Sequence, residues 1–168
     1  MGYKEEVIKA MELLARDPRT VFIGQTVLYS GGPVYETLLT VPDEKKIEVP
    51  VFEDAQLGMC TGLSLIGFVP ICIFPRMDFL ICAMNQLVNH LDKIEEMSMG
   101  EFSPKVVIRV IIGATEPLYP GIQHCSDYTS SFETLLKNIK VKKLVKEKEI
   151  VEEYKKALES NGSTMLIE

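Results

Sequence analysis

The chain of 168 residues reads as an α/β protein, a three-layer sandwich whose central sheet is largely parallel. Three observations lead there. Short apolar runs of strand length ("TVFIG", "KIEVPV", "FVPICIF", "KVVIRVIIG", "VKKLV" and "STMLIE") alternate with helical segments from end to end. The central runs are apolar almost throughout, the pattern of strands covered on both faces. No repeat, linker or low-complexity stretch interrupts the alternation, so residues 1–168 are expected to form a single domain. A domain of that size buries about two thirds of its unfolded surface.

Taken in order, residues 3–16 predict a first helix, with Val7, Met11 and Leu14 spaced i, i+4, i+7. "TVFIG" is the first strand. A loop follows, in which Gly31, Gly32 and Pro33 mark a turn. "KIEVPV" is the second strand, and residues 53–66 predict a helix with apolar groups on nearly every side, hence buried all round. Gly58 and Gly62, four apart, would let another backbone approach it. "FVPICIF" is the third strand. The longest helix, about 77–97, places Leu80, Met84, Leu87, Leu91 and Ile94 on one stripe. "KVVIRVIIG" is the fourth strand and leads into the long loop "ATEPLYPGIQHCSD". A short helix near 129–138, the strand "VKKLV", a charged helix over 147–160 and the strand "STMLIE" complete the chain.

Composition excludes several classes. Charged residues are 25% and hydrophobic residues 46% of the chain, ordinary for a globular protein, and the net charge of −6 argues against a nucleic-acid or anionic-membrane surface. The basic stretch "KNIKVKKLVKEK" is diluted by apolar residues and reads as a solvated strand and helix start. Cys60, Cys72, Cys82 and Cys125 lie far apart with no CxxC pair, and three sit in apolar runs, which points to reduced core thiols in a cytoplasmic protein. The first residues carry acids where a signal peptide needs a basic start, and "GLSLIGFVPICIF" is too short to span a bilayer. With only His90 and His124, neither in HxH nor HxxxH spacing, no zinc site is expected.

In a doubly covered parallel sheet, ligands gather at the carboxyl ends of the strands. Three segments leave strand ends with unusual content: the Gly-Gly-Pro loop, the junction "IEVPVFEDAQLGMCTG" holding Glu53, and the loop holding His124. Two readings of Glu53 stand. As a helix cap it would meet the positive end of the dipole. As a functional carboxyl it would use the apolar setting to stay protonated and donate to a ligand nitrogen. His124, in "GIQHCSD", is either a proton donor or a surface histidine flanking a helix. His90, inside a helix, is structural or exposed. Phe79, at the start of the long helix, is a core aromatic or a flat ring placed to stack on a heterocycle. No GxSxG elbow supports a serine nucleophile, and no GxGxxG or Walker loop supplies a phosphate cradle.

The order of these pieces resembles a known family. The segments "DPRTVFIGQTVLYSGG", "VPVFEDAQLGMCTGLSLIGFVPICIF", "MDFLICAMNQLVNHLDKI", "VVIRVIIGATEPLYPGIQHCSDYTSSF" and "STMLIE" are similar to the pyrimidine-binding domain of transketolase-like thiamine diphosphate enzymes. The likeness is strongest to the beta subunit of the decarboxylating component of 2-oxoacid dehydrogenases. The resemblance implies that Glu53 hydrogen-bonds a ring nitrogen of the cofactor's aminopyrimidine, favouring the imino form that deprotonates the thiazolium carbon. It implies that Phe79 packs against the pyrimidine, that Pro75 and Met77 line the pocket, and that His124 faces the substrate and handles its protons.

Two departures accompany it. Where the family often has "GED", this chain has "GQT", with Gln25 and Thr26; where the family has "QHS", this chain has "QHCS". The family's GDG metal motif has no counterpart in the chain, nor does the C-terminal docking domain, since the resemblance ends at "MLIE". The resemblance therefore implies an alpha-like partner that holds the diphosphate and Mg2+, in a heterotetramer. Together the two chains would decarboxylate a 2-oxo acid or cleave a ketose and transfer the fragment. Two alternatives accompany that expectation: a dehydrogenase component whose docking domain is encoded separately, and a non-catalytic binding module.

Overall fold

The computed structural model describes residues 2–168. Six strands form one sheet: β1 (Thr20–Gly24), β2 (Lys46–Glu48), β3 (Val69–Phe74), β4 (Val107–Val110), β5 (Lys140–Lys143) and β6 (Thr164–Ile167). Their order is β2-β1-β3-β4-β6-β5, and every neighbouring pair is parallel. The sheet is thus wholly parallel, as the apolar runs require. β1, β3, β4 and β6 are buried at every residue; the edges β2 and β5 are not.

Successive side chains of a strand point to opposite faces, and the core divides accordingly. One layer joins Val21, Ile23, Cys72, Phe74, Ile108 and Val110 of the strands to α3 (Glu53–Leu65), α4 (Met77–Leu80) and α6 (Thr129–Leu135). The other joins Phe22, Ile71, Ile73, Val107 and Leu166 to α1 (Tyr3–Ala15), α2 (Pro33–Thr37) and α7 (Ile150–Glu159). The predicted first helix, α1, buries Val7, Met11 and Leu14 as its spacing requires.

Three expectations are corrected. The loop after β1 contains the short helix α2, opened by Pro33, whose fixed φ suits a first helical turn. The long helix is not uniform: after α4 it tightens over Ile81–Ala83, widens into a π-helix over Asn85–Leu91, and closes with α5 (Ile94–Met97). Leu80, Leu87 and Leu91 are still buried on one stripe. And α3 is not buried all round. It buries Glu53, Gln56, Leu57, Cys60 and Thr61, but Ala55, Met59, Gly62 and Leu65 are exposed, because the sheet and the 77–97 helix cover only one side of it. Cys60 and Cys72 are core thiols, while Cys82 is exposed on the outer side of its helix. No helix among the described residues is long and apolar enough to cross a membrane.

Candidate functional site

From β1 the chain passes to β2 on one side, then returns across β1 to β3 on the other. That reversal is a topological switch point at the carboxyl ends of β1 and β3, the place where open parallel sheets bind ligands. Gln25 follows β1 and the Pro75–Phe79 segment follows β3 at this edge, and Glu53, opening α3, meets Gln25.

Glu53 is the first residue of α3 and only 7% exposed. Its Oε1 accepts a hydrogen bond from Gln25 Nε2 at 3.1 Å, and Gln25 is itself buried. The other carboxyl oxygen has no hydrogen-bond partner among the described residues. The position at a helix start is that of a cap, but the side chain turns to Gln25 rather than to the helix's own N–H groups, and α3 has no side-chain cap. One turn further, Gln56 is fully buried; its Nε2 donates to Ile73 O at 2.9 Å, while its Oε1 is buried without a partner.

Two features hold the loop that carries Gln25. Gly24 packs so close to β3 that a Cβ there would lie 2.7 Å from Ile73 O. Beyond it, the Glu48 carboxylate accepts the backbone N–H groups of Thr26, Val27 and Leu28 at 2.6, 2.8 and 2.9 Å. Three donors on one carboxylate gather the loop into a fixed turn, in which Thr26 takes a left-handed φ of 60°. Sequence reasoning missed Glu48; its position in a strand pattern gives no sign that its partners are three backbone groups of another loop.

Phe79 and His124 are brought together, their rings edge to face with centroids 5.4 Å apart. Both are half-buried, as is Pro75. The loop carrying His124 is fastened to α4: Met77 Sδ accepts the Tyr128 N–H at 2.9 Å and Asp78 Oδ2 the Ser126 N–H at 3.2 Å. At the root of this loop, Gly113 lies so near the His124 carbonyl that a Cβ would come within 1.9 Å of its oxygen. Met77 corrects the expectation of a pocket-lining residue: it is fully buried in the core and stands behind the site, as a support for the loop. His124 Nδ1 is buried without a partner. His90 is exposed and far along the helix.

The sheet order, its helices and this edge define a transketolase-like α/β domain. A solved structure described as "Split gene transketolase, inactive beta4 tetramer" superposes with a TM-score of 0.76 at 17% identity, covering 98% of this chain and 50% of that one. By sequence the chain is similar to beta subunits of 2-oxoacid dehydrogenases. It is 32% identical over 127 residues to the 3-methyl-2-oxobutanoate dehydrogenase subunit beta of Mycobacterium tuberculosis, covering 72% of this chain and 35% of that one. It is 30% identical over 128 residues to the pyruvate dehydrogenase E1 component subunit beta-3, chloroplastic, of Arabidopsis thaliana, covering 74% of this chain and 31% of that one. The chain therefore spans about a third of these curated relatives, at 35% and 31% of their lengths. No protein-family model matches it.

Proposed function

We propose that the chain is the beta-like half of a two-subunit, thiamine diphosphate-dependent enzyme that decarboxylates a 2-oxo acid or cleaves a ketose and transfers the fragment. The observation that carries the reading is Glu53: a buried carboxyl at the sheet's switch point, with one oxygen held by Gln25 and the other without a hydrogen-bond partner among the described residues. Carboxylates are rarely buried without a partner or a purpose.

The residues present suit an aminopyrimidine. The free carboxyl oxygen matches a ring nitrogen, the half-buried Phe79 ring offers a flat apolar face, and Pro75 adds apolar surface at the same edge. When bound, thiamine diphosphate supplies an acidic ring carbon that adds to a carbonyl and takes up the electrons of carbon–carbon cleavage. Glu53 would hydrogen-bond a ring nitrogen of that group, in a setting whose low dielectric strengthens the bond. His124 would face the substrate side and donate to a substrate oxygen as charge develops there. The edge-to-face contact with Phe79 and the anchored loop hold the imidazole in place.

An alpha-like chain would hold the diphosphate and its Mg2+. The exposed apolar side of α3 supports a partner: Val51 and Phe52, just before the helix, are 78% and 62% exposed, and Met59, Leu65 and Ile66 continue the patch.

Substitution of Glu53 by glutamine tests the reading. The amide keeps the shape but cannot transfer the proton, so the assembled Glu53→Gln complex should fold, bind cofactor and turn over at least about 100-fold more slowly. Exchange of the thiazolium proton with deuterated water, followed by NMR, reads the step directly. Wild-type exchange in this variant would return Glu53 to the role of a helix cap.

A further inference from the structure

We infer that Gln25 is a positioning residue for Glu53, fixing which carboxyl oxygen the protein holds and which is left to exchange a proton with a ligand. The inference rests on the reading of Glu53 given above and assigns a residue that the reading itself does not need.

The geometry is a short relay of constraints. Gly24 is pressed against Ile73, and the backbone from Thr26 to Leu28 is gathered by Glu48, so the main chain is clamped on both sides of Gln25. The side chain is 9% exposed and reaches Glu53 Oε1 through Nε2. An amide nitrogen donates and cannot accept. Oε1 therefore accepts in either charge state of Glu53, and because a carbonyl oxygen accepts better than a hydroxyl, the bond favours any proton of the carboxyl on the other oxygen. With the carboxyl rotation fixed as well, the mobile proton has one place to be. A carboxyl at position 25 could take that proton itself; an amide cannot. The reversed amide would accept a proton from Oε1 and withdraw it from use.

The test has two arms. In the 15N-labelled chain without cofactor, the Gln25 side-chain amide is assigned by its loss in Gln25→Met. Its resonance should move in Glu53→Ala; an unmoved resonance would show that the contact is absent and overturn the inference. In the assembled complex, Gln25→Met should fold with a modestly lowered melting temperature, since Glu53 Oε1 loses its partner, and bind thiamine diphosphate within a few-fold of wild type, since it removes no contact to the ligand. It should slow thiazolium proton exchange about 10-fold, the factor that one hydrogen bond to a charged or polar group commands. Gln25→Glu, nearly identical in shape, serves as the second variant and should also slow exchange, because its carboxyl competes for the proton. Wild-type exchange in both Gln25 variants, with Glu53→Gln slow, would overturn the role of Gln25 and leave that of Glu53 standing. Rapid exchange in Glu53→Gln as well would overturn both.

Discussion

A missing methyl group at Gly113 decides where His124 can sit. The backbone carbonyl of His124 lies where any Cβ on residue 113 would be, at 1.9 Å, and a backbone atom cannot step aside as a flexible side-chain tip would. Gly113→Ala must displace the His124 loop and strain its anchors on Met77 and Asp78. Overpacking of this kind typically costs about 1–3 kcal/mol. The expected outcome is a folded chain with a lowered melting temperature, a lost Phe79–His124 ring contact seen in the aromatic NMR shifts, and a fall in turnover larger than any fall in cofactor affinity. Equal losses in both would mean that the loop serves binding rather than proton transfer. At this scale the sequence was partly legible. Glu53 stood out as a carboxyl between apolar segments, and His124 as a histidine in a loop at a strand end. Gln25 was visible only as a departure from a pattern, and Glu48 not at all, because a carboxylate on a short strand looks the same whether it faces water or another loop's N–H groups.

Between elements, two ion pairs carry different weights. Arg109 of β4 is fully buried on the sheet face opposite Glu53. It donates to both oxygens of Glu168 and, at 2.8 Å, to Thr37 Oγ1 of α2, while Tyr154 of α7 donates to the same carboxylate. Burial alone would lower the Arg109 pKa, but Glu168, Tyr154 and Tyr3 together outweigh it and keep the guanidinium charged; burial and the Glu168 carboxylate push the Tyr154 hydroxyl well up. Removing one partner of such a pair leaves an uncompensated charge, typically worth about 3–5 kcal/mol. Arg109→Met should lose that much in urea denaturation, and a loss below about 1 kcal/mol would show that the pair contributes little beyond filling space.

Asp127, ahead of α6, is a milder case. Its bonds to Lys143 and to the hydroxyl and N–H of Thr129 lower its pKa from 3.8 to about 2. A lowered folded-state pKa means that the contribution is complete above 3.8 and disappears as pH falls towards about 2. Asp127→Asn should therefore melt lower than wild type near neutrality and converge with it at the acid end. A gap in melting temperature that stays constant through that range would show that the carboxylate's charge is not what holds the helix start. The group is exposed, so the effect should be modest. Neither pair could be read from spacing, since α6, β5, α7 and β6 lie between Arg109 and Glu168 along the chain, and the two meet only in the folded sheet.

For the molecule as a whole, the telling feature is the bare side of α3. The helix is apolar on nearly every side, yet its own domain covers only one of them. The pattern describes a burial that this chain does not complete by itself, which supports assembly with another subunit. The isolated chain should bind thiamine diphosphate weakly and self-associate through this patch. Mixing with an alpha-like chain should raise affinity and give a heterotetramer by light scattering. Tight, magnesium-dependent binding by the chain alone in a calorimetric titration would contradict this. A charge placed in the middle of the patch, Met59→Lys, should leave the chain folded and block assembly, since the cost of desolvating an unpaired ammonium falls on the interface alone.

The sequence by itself determined the sheet and its layers. Uninterrupted apolar runs separated by helical periods admit few arrangements other than a parallel sheet covered on both faces, because each run must bury both of its sides. It also marked Glu53 as a carboxyl between apolar segments and His124 as a histidine on a strand-end loop, while Phe79 read as a core aromatic or a stacking ring. What only the tertiary structure decided is which of them meet: Gln25 with Glu53, Phe79 with His124, Met77 behind them rather than among them. Those contacts join segments distant along the chain, and they depend on the strand order and on close backbone approaches at Gly24 and Gly113. Periodicity encodes which face of an element is buried, not what lies across from it.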